Sequence, residues 1–319
     1  MGGEFTLIGR YFDWPAPPGI LGVGDDCALL PVSPGCRLAV TTDLLVEGRH
    51  FFPNTDPEAL GHKALAVNVS DLAAMGARPM GCVLGLSLPR VDETWLEKFS
   101  RGFKALSGEV GCPLVGGDTT RSVDGIVISV TAMGEVPEAT ALKRSAAQAG
   151  DDIWVTGSLG AAHVALELLQ GQHPQHINLL ETLRPWLERP QPPVAFGSEL
   201  PGLANAAIDI SDGLLQDLGH ILKASGCGAD LDYSLLPVHP VLKTLNDAIV
   251  QRAVLNGGDV YQLCFTARPA VRTDIVALAA RHGIEARVVG QVGPGQGIHV
   301  SASPLPLGKD GYAGFDHFG

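Results

Sequence analysis

The sequence predicts an α+β protein of two domains, and three observations lead to this prediction. Its 319 residues exceed the length that one hydrophobic core usually organises. Short β-prone runs alternate with segments of helical apolar spacing in both halves of the chain. A stretch of small residues between about 137 and 150 separates the halves, so we expect domains at residues 1–140 and 141–319.

Charge and composition exclude several classes of partner. Lys and Arg number 22 against 34 Asp and Glu, a net charge of −12, which argues against nucleic acid and anionic membranes. The six cysteines are scattered without a C-x-x-C pair, which is typical of reduced thiols in a cytoplasmic protein and indicates neither a disulfide framework nor zinc. The N-terminus lacks an apolar signal segment and no 18-residue apolar run is present, so we expect no membrane partner.

The first strand and helix each carry a candidate carboxylate. The β-prone run 38–42 ends at Asp43, which predicts a carboxylate at the carboxyl end of a strand, where α/β proteins often bind ligands. A helix of roughly 19 residues is predicted from the N-cap Asp56 to Gly76, and its apolar sequence predicts that Asp71 is buried. A hydrogen bond to a backbone amide would explain such a carboxylate, but the neighbouring acidic motifs favour metal ligation.

Aspartates in glycine-flanked turns recur along the chain. Further strands are predicted at 83–88, 113–115 and 126–132, and the middle one leads into the turn Gly116–Thr120. Paired glycines let a backbone approach a ligand closely. Carboxylate oxygens suit Mg²⁺, which proteins usually hold with one or two carboxylates and substrate phosphates. The acidic motifs are Gly24-Asp25-Asp26, Thr41-Thr42-Asp43, Gly116-Gly117-Asp118 and Asp209-Ile210-Ser211-Asp212-Gly213.

The second half repeats the mixture of strands and helices. After a strand at 152–156, the segment 170–193 is predicted to be a surface excursion without chemistry, with His173 and His176 as a solvated pair. A strand at 206–208 then leads into the fourth acidic motif. The remaining strands are predicted at 229–233, 261–266, 286–292 and 298–301, with a helix at 269–282.

The fourth acidic motif precedes a helix that ends at Gly226. Ser211 and Asp212 would be ordinary N-caps of this helix. The helix start could also bind phosphate, with Asp209 and Asp212 bringing Mg²⁺ to it, and the two roles are compatible.

Several nucleotide-binding and catalytic motifs are absent from the sequence. It has no P-loop, no complete dinucleotide fingerprint, no protein-kinase motif set and no G-x-S-x-G elbow. A nucleotide would therefore be held by its metal-bridged phosphates on the acidic motifs, and acyl transfer is unsupported.

The motifs resemble those of the thiamine-monophosphate kinase family, in the superfamily of aminoimidazole ribonucleotide synthetase and selenophosphate synthetase. The segments that carry the resemblance are the four acidic motifs together with Gly2–Ile8, Gly48–Phe51, Lys63–Gly76 and Gly314–Phe318. The resemblance implies transfer of the γ-phosphoryl group of ATP to thiamine monophosphate with several Mg²⁺ ions. It also implies a two-domain, synthetase-like fold: an N-terminal mixed-sheet domain that binds ATP and Mg²⁺ and pairs across a homodimer, and a C-terminal α/β sandwich that completes the nucleotide and substrate sites.

Residue roles follow from the resemblance, position by position. It implies Mg²⁺ ligation by Asp26, Thr41, Thr42, Asp43, Asp71, Asp118, Asp209 and Asp212, with Asp43, Asp118 and Asp212 central to catalysis. It implies ATP contacts by Gly117, Asp118, Arg144 and Ser211. It implies thiamine-side contacts by His50 and Phe315, and Asp259 is a further candidate for that side. Without the resemblance, His50 would be interpreted as a structural histidine and Arg144 as a surface charge.

One segment departs from the family pattern, and two alternative functions remain. The family has Gly-Gly-Glu-Asp-Tyr-Glu-Leu where this chain has Gly257-Gly258-Asp259-Val260-Tyr261-Gln262-Leu263. This departure predicts weaker recognition of thiamine with ATP use unchanged, because the metal and ATP motifs are intact. Asp259 and Phe315 together still offer an acid and an aromatic face to a thiazolium cation. The first alternative function is a sister ATP-dependent synthetase with another acceptor. The second is a non-catalytic protein that binds nucleotide or metal.

Overall fold

The computed structural model describes residues 4–24 and 26–306, which fall into two compact units. The first unit contains the described residues up to Leu72 and Ala77–Ala139. The second contains Ala73–Gly76 and the described residues from Thr140. Each unit combines a mixed sheet with helices, which confirms the predicted α+β class.

The first unit is built on a four-stranded sheet. Its strand order is β1-β4-β2-β3, with β2 and β3 parallel and the other pairs antiparallel. The strands are β1 Cys36–Val46, β2 Arg78–Leu88, β3 Leu114–Arg121 and β4 Val127–Pro137, and the helices are α1 Glu4–Tyr11, α2 Pro57–Ala74 and α3 Glu93–Val110.

Helix α2 has nearly the predicted bounds. A carboxylate oxygen of Asp56 accepts the Ala59 N–H at 3.4 Å, and Gly76 follows the helix with φ of 69°. The helix approaches α3 so closely that a Cβ on Gly61 would lie 2.1 Å from the Phe99 carbonyl oxygen. Only glycine allows this backbone contact between the two helices.

All four strands of this sheet are longer than predicted, and in β1 and β3 the extra length changes the setting of two acidic motifs. β1 continues three residues beyond Asp43, because it pairs with β4 along its whole length. The segment Gly116–Thr120 belongs to β3 and is not a turn, because it pairs with β2. The predicted turn and the predicted strand end are therefore wrong. Ladder hydrogen bonds to a distant segment satisfy backbone groups that local sequence signals do not reveal.

One face of the first sheet carries large apolar side chains in solvent. Leu38, Val40 and Leu44 alternate along β1 and are 47%, 58% and 53% exposed. The intervening residues Thr41 and Asp43 contact α2 on the other face. The apolar stripe, residues 38, 40 and 44, is thus uncovered in the isolated chain.

The second unit has a six-stranded sheet of order β10-β7-β9-β5-β8-β6, in which only β10 and β7 are parallel. Its strands are β5 Asp152–Thr156, β6 Ala206–Asp209, β7 Gly228–Asp232, β8 Leu263–Ala267, β9 Ala286–Gly293 and β10 Gly297–Ser301. Its helices are α4 Ala161–Leu169, α5 Leu180–Glu188, α6 Val194–Glu199, α7 Leu214–Ser225, α8 Asp247–Asn256 and α9 Arg272–Arg281. No described helix has the length and apolarity that a bilayer span requires.

The segment predicted to be a surface excursion contributes to the core. Leu183 and Leu187 of α5 are 0% and 5% exposed and join the main apolar cluster of the second unit. His173 is half-buried, with Nε2 3.2 Å from Glu167 Oε2. The prediction of a solvated histidine pair is therefore wrong for His173, because its ring lies against the buried carboxylate of Glu167 on α4.

We expect acid to weaken the first unit through Glu135. This buried carboxylate accepts the Ser33 N–H at 2.9 Å and pairs with Arg78, and these contacts hold its pKa below the usual value. The resulting stability is present above pH 4.5 and is lost as the pH falls through the lowered pKa. Glu135→Gln should cost about 1–2 kcal/mol at pH 7 and flatten the acid limb of stability, measured by urea unfolding at several pH values.

The matched control is Glu138→Gln, at an exposed carboxylate paired with Arg37. Arg37 lowers the pKa of Glu138 as well, but solvent screens this exposed pair, so the variant should flatten the acid limb much less than Glu135→Gln does. An equal flattening in both variants would contradict the assignment to Glu135.

Candidate functional site

In the first unit, β1 and α2 bring acidic and hydroxyl groups together. The Thr41 hydroxyl donates to Asp71 Oδ2 at 2.5 Å, and the Asp43 N–H donates to Asn68 Oδ1 at 2.9 Å. Thr41 and Asp43 share a face of β1, while Asn68 and Asp71 are nearly one turn apart on α2. Three predicted metal ligands, Thr41, Asp43 and Asp71, are thus gathered at one place.

Asp71 is less buried than its apolar helix predicted. It is half-buried, and a threonine hydroxyl is among its partners. A hydroxyl donor stabilises the charged carboxylate and leaves it able to share a cation.

Asn68 is a site residue that the sequence reasoning missed. It is fully buried, and its Nδ2 donates to the Ala64 carbonyl at 3.1 Å while its Oδ1 holds the backbone of Asp43. A polar residue three positions before Asp71, inside an apolar helix, was the available signal. Its contacts fix the strand against the helix where the acidic groups meet.

Two predicted ligands of the first unit lie on the other face of the sheet. The Thr42 hydroxyl donates to the Val130 carbonyl at 3.1 Å and accepts from Thr131 at 3.0 Å. Asp118 pairs in register with Gly85, one row away from the row of Asp43. Strand alternation therefore separates the side chains of Thr42 and Asp118 from those of Thr41, Asp43 and Asp71.

Gly117 lies in the same cross-strand row as Asp43. The row runs from Asp43 through Val130 and Leu84 to Gly117. Gly117 has φ of 157°, and a Cβ there would lie 2.1 Å from the Leu84 carbonyl oxygen. The absence of a side chain at Gly117 is needed for strand pairing. It leaves the backbone uncovered at the end of the row opposite Asp43.

Among the other predicted residues, His50 is hydrogen-bonded to the end of β1. His50 Nδ1 accepts the Val46 N–H at 3.0 Å, which fixes the ring and places any proton of a neutral imidazole on Nε2. Asp26 is exposed. Phe315 lies outside the described residues, as do Asp25 and the closing motif 314–318.

In the second unit, the fourth acidic motif connects β6 to α7. Asp209 ends the strand and is 4% exposed, whereas Ser211 and Asp212 are half-buried. The helix begins after Gly213, which has φ of 125° and makes no side-chain cap bond. The prediction that Ser211 or Asp212 caps this helix is therefore wrong.

Asp217, in the first turn of α7, takes over the capping function. Its Oδ2 accepts the N–H groups of Ser211, Asp212 and Gly213 at 3.0, 3.1 and 3.1 Å. Burial raises the pKa of Asp217 to about 7, and the three amide donors oppose that rise. Because these amides are already bonded, they are not the phosphate-binding donors that the helix start suggested. The sequence signal was an acid among the apolar positions of the helix.

The segment 257–262, which departs from the family pattern, lies against the same loop. The Asp259 N–H donates to the Ser211 carbonyl and the Tyr261 N–H to the Ile210 carbonyl, both at 2.8 Å. Asp259 and Tyr261 adopt φ of 60° and 51°, which is uncommon for residues with side chains. A Cβ on Gly258 would lie 2.4 Å from the Ser211 carbonyl oxygen. The two backbones are thus in direct contact.

Two side chains of this segment point into the protein. Val260 is 9% exposed and belongs to the apolar core of the unit. Gln262 accepts the Thr156 hydroxyl at 2.8 Å and donates to the Gln191 carbonyl at 2.8 Å. An amide supplies both a donor and an acceptor, which an ionised glutamate at this position could not. The substitutions at 260 and 262 therefore suit internal packing.

Arg144, the predicted ATP contact, starts a short 3-10 helix and is exposed. Its carbonyl accepts the Ser225 hydroxyl at 2.8 Å, and the same hydroxyl accepts the Ala147 N–H at 3.1 Å. These bonds tie the backbone of Arg144 to the end of α7. The guanidinium is then carried on an anchored segment of the second unit.

The donor sets suit Mg²⁺ bound together with phosphate. Across residues 4–24 and 26–306, no three His, Cys, Asp or Glu side chains form a cluster that could hold a metal ion. Mg²⁺ rarely needs such a cage, since it is usually held by one or two carboxylates, waters and substrate phosphates. The grouping of Asp43 and Asp71 with the Thr41 hydroxyl is an all-oxygen set of that kind. It fits a substrate-bridged magnesium ion better than a structural metal.

Comparisons with known protein families cover most of the chain. Residues 24–136 match the N-terminal domain model of AIR synthase related proteins, and residues 148–303 match the C-terminal domain model. Thiamine-monophosphate kinase from Salmonella typhimurium is 42% identical over 99% of this chain and 98% of its own length. The enzyme of the same name from Escherichia coli K12 is 43% identical over the same shares.

Solved structures give the same result. A thiamine-monophosphate kinase from Stenotrophomonas maltophilia superposes with a TM-score of 0.84 at 43% identity, covering 94% of this chain and 96% of that one. The complex of AaThiL with AMPPCP and TMP superposes with a TM-score of 0.77 at 31% identity, covering 91% and 90%.

Proposed function

Since this chain belongs to the thiamine-monophosphate kinases of the AIR synthase related family, we propose that it works by direct, Mg²⁺-assisted in-line phosphoryl transfer. Its activity is the ATP-dependent phosphorylation of thiamine monophosphate to thiamine diphosphate. ATP is the co-substrate, and several Mg²⁺ ions would be the cofactors.

The observation that carries this mechanism is the grouping of Thr41, Asp43 and Asp71 by Asn68. It supplies only oxygen donors, and its acidic groups are set on a strand and a helix that two hydrogen bonds join, from the Thr41 hydroxyl to Asp71 and from the Asp43 N–H to the Asn68 side chain. Preorganised ligands lose little freedom when the substrate complex forms. Bound there, Mg²⁺ would offset the repulsion between the phosphates of ATP and thiamine monophosphate.

The chemistry of the acceptor removes the need for an activated nucleophile in the protein. The second ionisation of a phosphate monoester has a pKa of about 6, so its attacking oxygen is already charged at neutral pH. No residue of the chain has to remove a proton. The work of the protein is positioning and charge neutralisation, which is how phosphoryl-transfer enzymes generally act.

We assign the remaining predicted residues as follows. Arg144 would bind ATP phosphate through its planar donor fork, with the bare backbone of Gly117 and with Ser211 as further ATP contacts. His50, Asp259 and Phe315 would contact thiamine monophosphate. The metal ligands would be Asp26, Thr41, Thr42, Asp43, Asp71, Asp118, Asp209 and Asp212. Residues 1–140 would form the ATP, Mg²⁺ and dimerisation domain, and residues 141–319 would complete the nucleotide and substrate sites.

An acceptor panel tests the substrate assignment. ADP release is measured with thiamine monophosphate, with thiamine, and with the phosphorylated acceptors of sister synthetases. We expect rapid release with thiamine monophosphate only. Turnover with a different acceptor would favour a sister synthetase, and ATP binding without ADP release would favour a non-catalytic protein.

We further propose that the chain forms a homodimer through the apolar stripe of β1. The stripe, residues 38, 40 and 44, gives the first sheet a solvent-exposed apolar face, and a second copy of the sheet would cover it. Val40→Lys should convert a native dimer into a folded monomer, because two unpaired charges would be buried in the interface. Sedimentation velocity gives the mass.

Val123→Lys is the matched control, because Val123 is fully exposed and lies outside the strands. It should sediment like the native chain. A native monomer, or a dimer that survives Val40→Lys, would contradict this interface.

A further inference from the structure

We infer that Asp217 is a positioning residue for phosphoryl transfer: it fixes the loop Ile210–Gly213, and through that loop the segment 257–261. Asp217 touches neither nucleotide nor acceptor in this account. The inference deepens the proposed function and rests on it.

The loop Ile210–Gly213 is hydrogen-bonded on both of its sides. One oxygen of Asp217 accepts three consecutive N–H groups, those of residues 211–213. The carbonyls of Ile210 and Ser211 accept N–H groups from Tyr261 and Asp259. These N–H groups and these carbonyl groups are therefore all hydrogen-bonded. Together the bonds hold the loop backbone in one conformation.

The backbone of this loop sets the directions of two proposed site side chains. Ser211 and Asp212 are half-buried, and Asp212 Oδ2 accepts the Gln216 Nε2 at 3.2 Å. The directions in which these two side chains point depend on the loop, whose three N–H groups all bond to one oxygen of Asp217. Removing that atom leaves three amide groups without their acceptor, so the loop must turn to find new ones.

The loop is also coupled to the segment 257–261, on the proposed acceptor side. Asp259 and Tyr261 have positive φ, a strained geometry for such residues, and their N–H bonds to the loop help to hold it. If the loop turns, these bonds are lost together. A change at Asp217 should therefore alter the use of thiamine monophosphate as well as of Mg²⁺ and ATP.

The test compares three substitutions at one position in the full chain. Asp217→Ala removes the acceptor, and Asp217→Leu removes it while filling a similar volume among the apolar neighbours on α7. Asp217→Asn retains one oxygen, Oδ1, that can accept all three N–H groups. The readouts are Mg²⁺ half-saturation, KM for both substrates, kcat, and the calorimetric Kd for Mg·ATP, which needs no turnover.

We expect Asp217→Ala and Asp217→Leu to raise Mg²⁺ half-saturation and the Kd for Mg·ATP by about 10–100-fold, with a higher KM for thiamine monophosphate. Asp217→Asn should stay close to native. Asp151→Ala is the control, because Asp151 is also buried and accepts the Gln148 N–H and the Asn205 Nδ2 away from the loop. It should lower the melting temperature without altering Mg²⁺ or ATP use.

Two results would overturn the inference. One is native Mg²⁺ half-saturation and Kd in a folded Asp217→Ala or Asp217→Leu variant. The other is an Asp217→Asn variant as impaired as these two. Failure of the proposed function has a different signature, because the native chain would then form no thiamine diphosphate while the Mg·ATP Kd still responded to Asp217.

Discussion

Asp43→Asn should lower kcat/KM by at least about 100-fold while the chain stays folded, since even indirect partners of a metal ligand contribute 10–100-fold. The substitution keeps the shape of the side chain and removes its charge. The backbone N–H of Asp43, which bonds to Asn68, is untouched, so the contact between strand and helix survives. The coupled assay gives the rate, and circular dichroism with thermal melting reports the fold.

Asp124→Asn is the matched control for this loss of charge. Asp124 is exposed in the first unit, where its Oδ1 accepts the N–H of Gly125. The activity of the Asp124→Asn variant should equal that of the native chain. A folded Asp43→Asn variant with near-native activity would remove the carboxylate group from the mechanism.

Gly258→Ala should cost about as much activity by a different route. The new Cβ would lie 2.4 Å from the Ser211 carbonyl oxygen, closer than such atoms can come. Either the segment 257–261 or the loop Ile210–Gly213 must then shift, and a shift of 1 Å in a positioning element can cost about 100-fold in rate. We expect poorer use of both substrates, measured as KM for ATP and for thiamine monophosphate.

Gly219→Ala provides the control for the glycine substitution. Gly219 lies inside α7, and a Cβ there meets no atom within 4 Å. Alanine should stabilise the helix by about 0.5–1 kcal/mol and leave both KM values unchanged. Native kinetics in the Gly258→Ala variant would show that catalysis does not depend on the contact between the segment 257–261 and the loop Ile210–Gly213.

The contact between these segments changes how the departure from the family pattern is interpreted. On the sequence, the segment 257–263 was expected to affect thiamine recognition and leave ATP use alone. Its backbone is bonded to the loop that carries Ser211, a predicted ATP contact, so that division is too simple. Val260 is also a core residue, and restoring the family's aspartate there would bury a carboxylate at a substantial cost in stability.

Local signals in the sequence predicted the elements that depend on local physics. Helix α2 and strand β5 were placed within one or two residues, because helix caps and short apolar runs are recognised from a few neighbouring residues in the sequence. The extents of β1 and β3 were missed, since their ends are set by pairing with β4 and β2, which are distant in sequence. Long-range pairing of this kind leaves little local trace.

The same distinction applies to the candidate site. Asp43 was found from its place after a β-prone run, Asp71 from its place in an apolar helix, and the acidic loop before α7 from residue type and its glycine. Asn68 and Asp217 were missed because their importance lies in which backbone amides they hold. The separation of Thr42 from Asp43 follows from strand alternation, but only after the strand is known to extend beyond both residues.

The most direct test of direct, Mg²⁺-assisted transfer is a single turnover with ATP labelled at the γ-phosphorus, Mg²⁺ and limiting thiamine monophosphate. Samples quenched over time are separated into nucleotide, thiamine compounds and protein. The label should pass from ATP to thiamine diphosphate, one per ADP formed, with none on the protein and no transfer when EDTA is present. A labelled protein that passes its phosphate to thiamine monophosphate, or ADP and inorganic phosphate without thiamine diphosphate, would contradict the account.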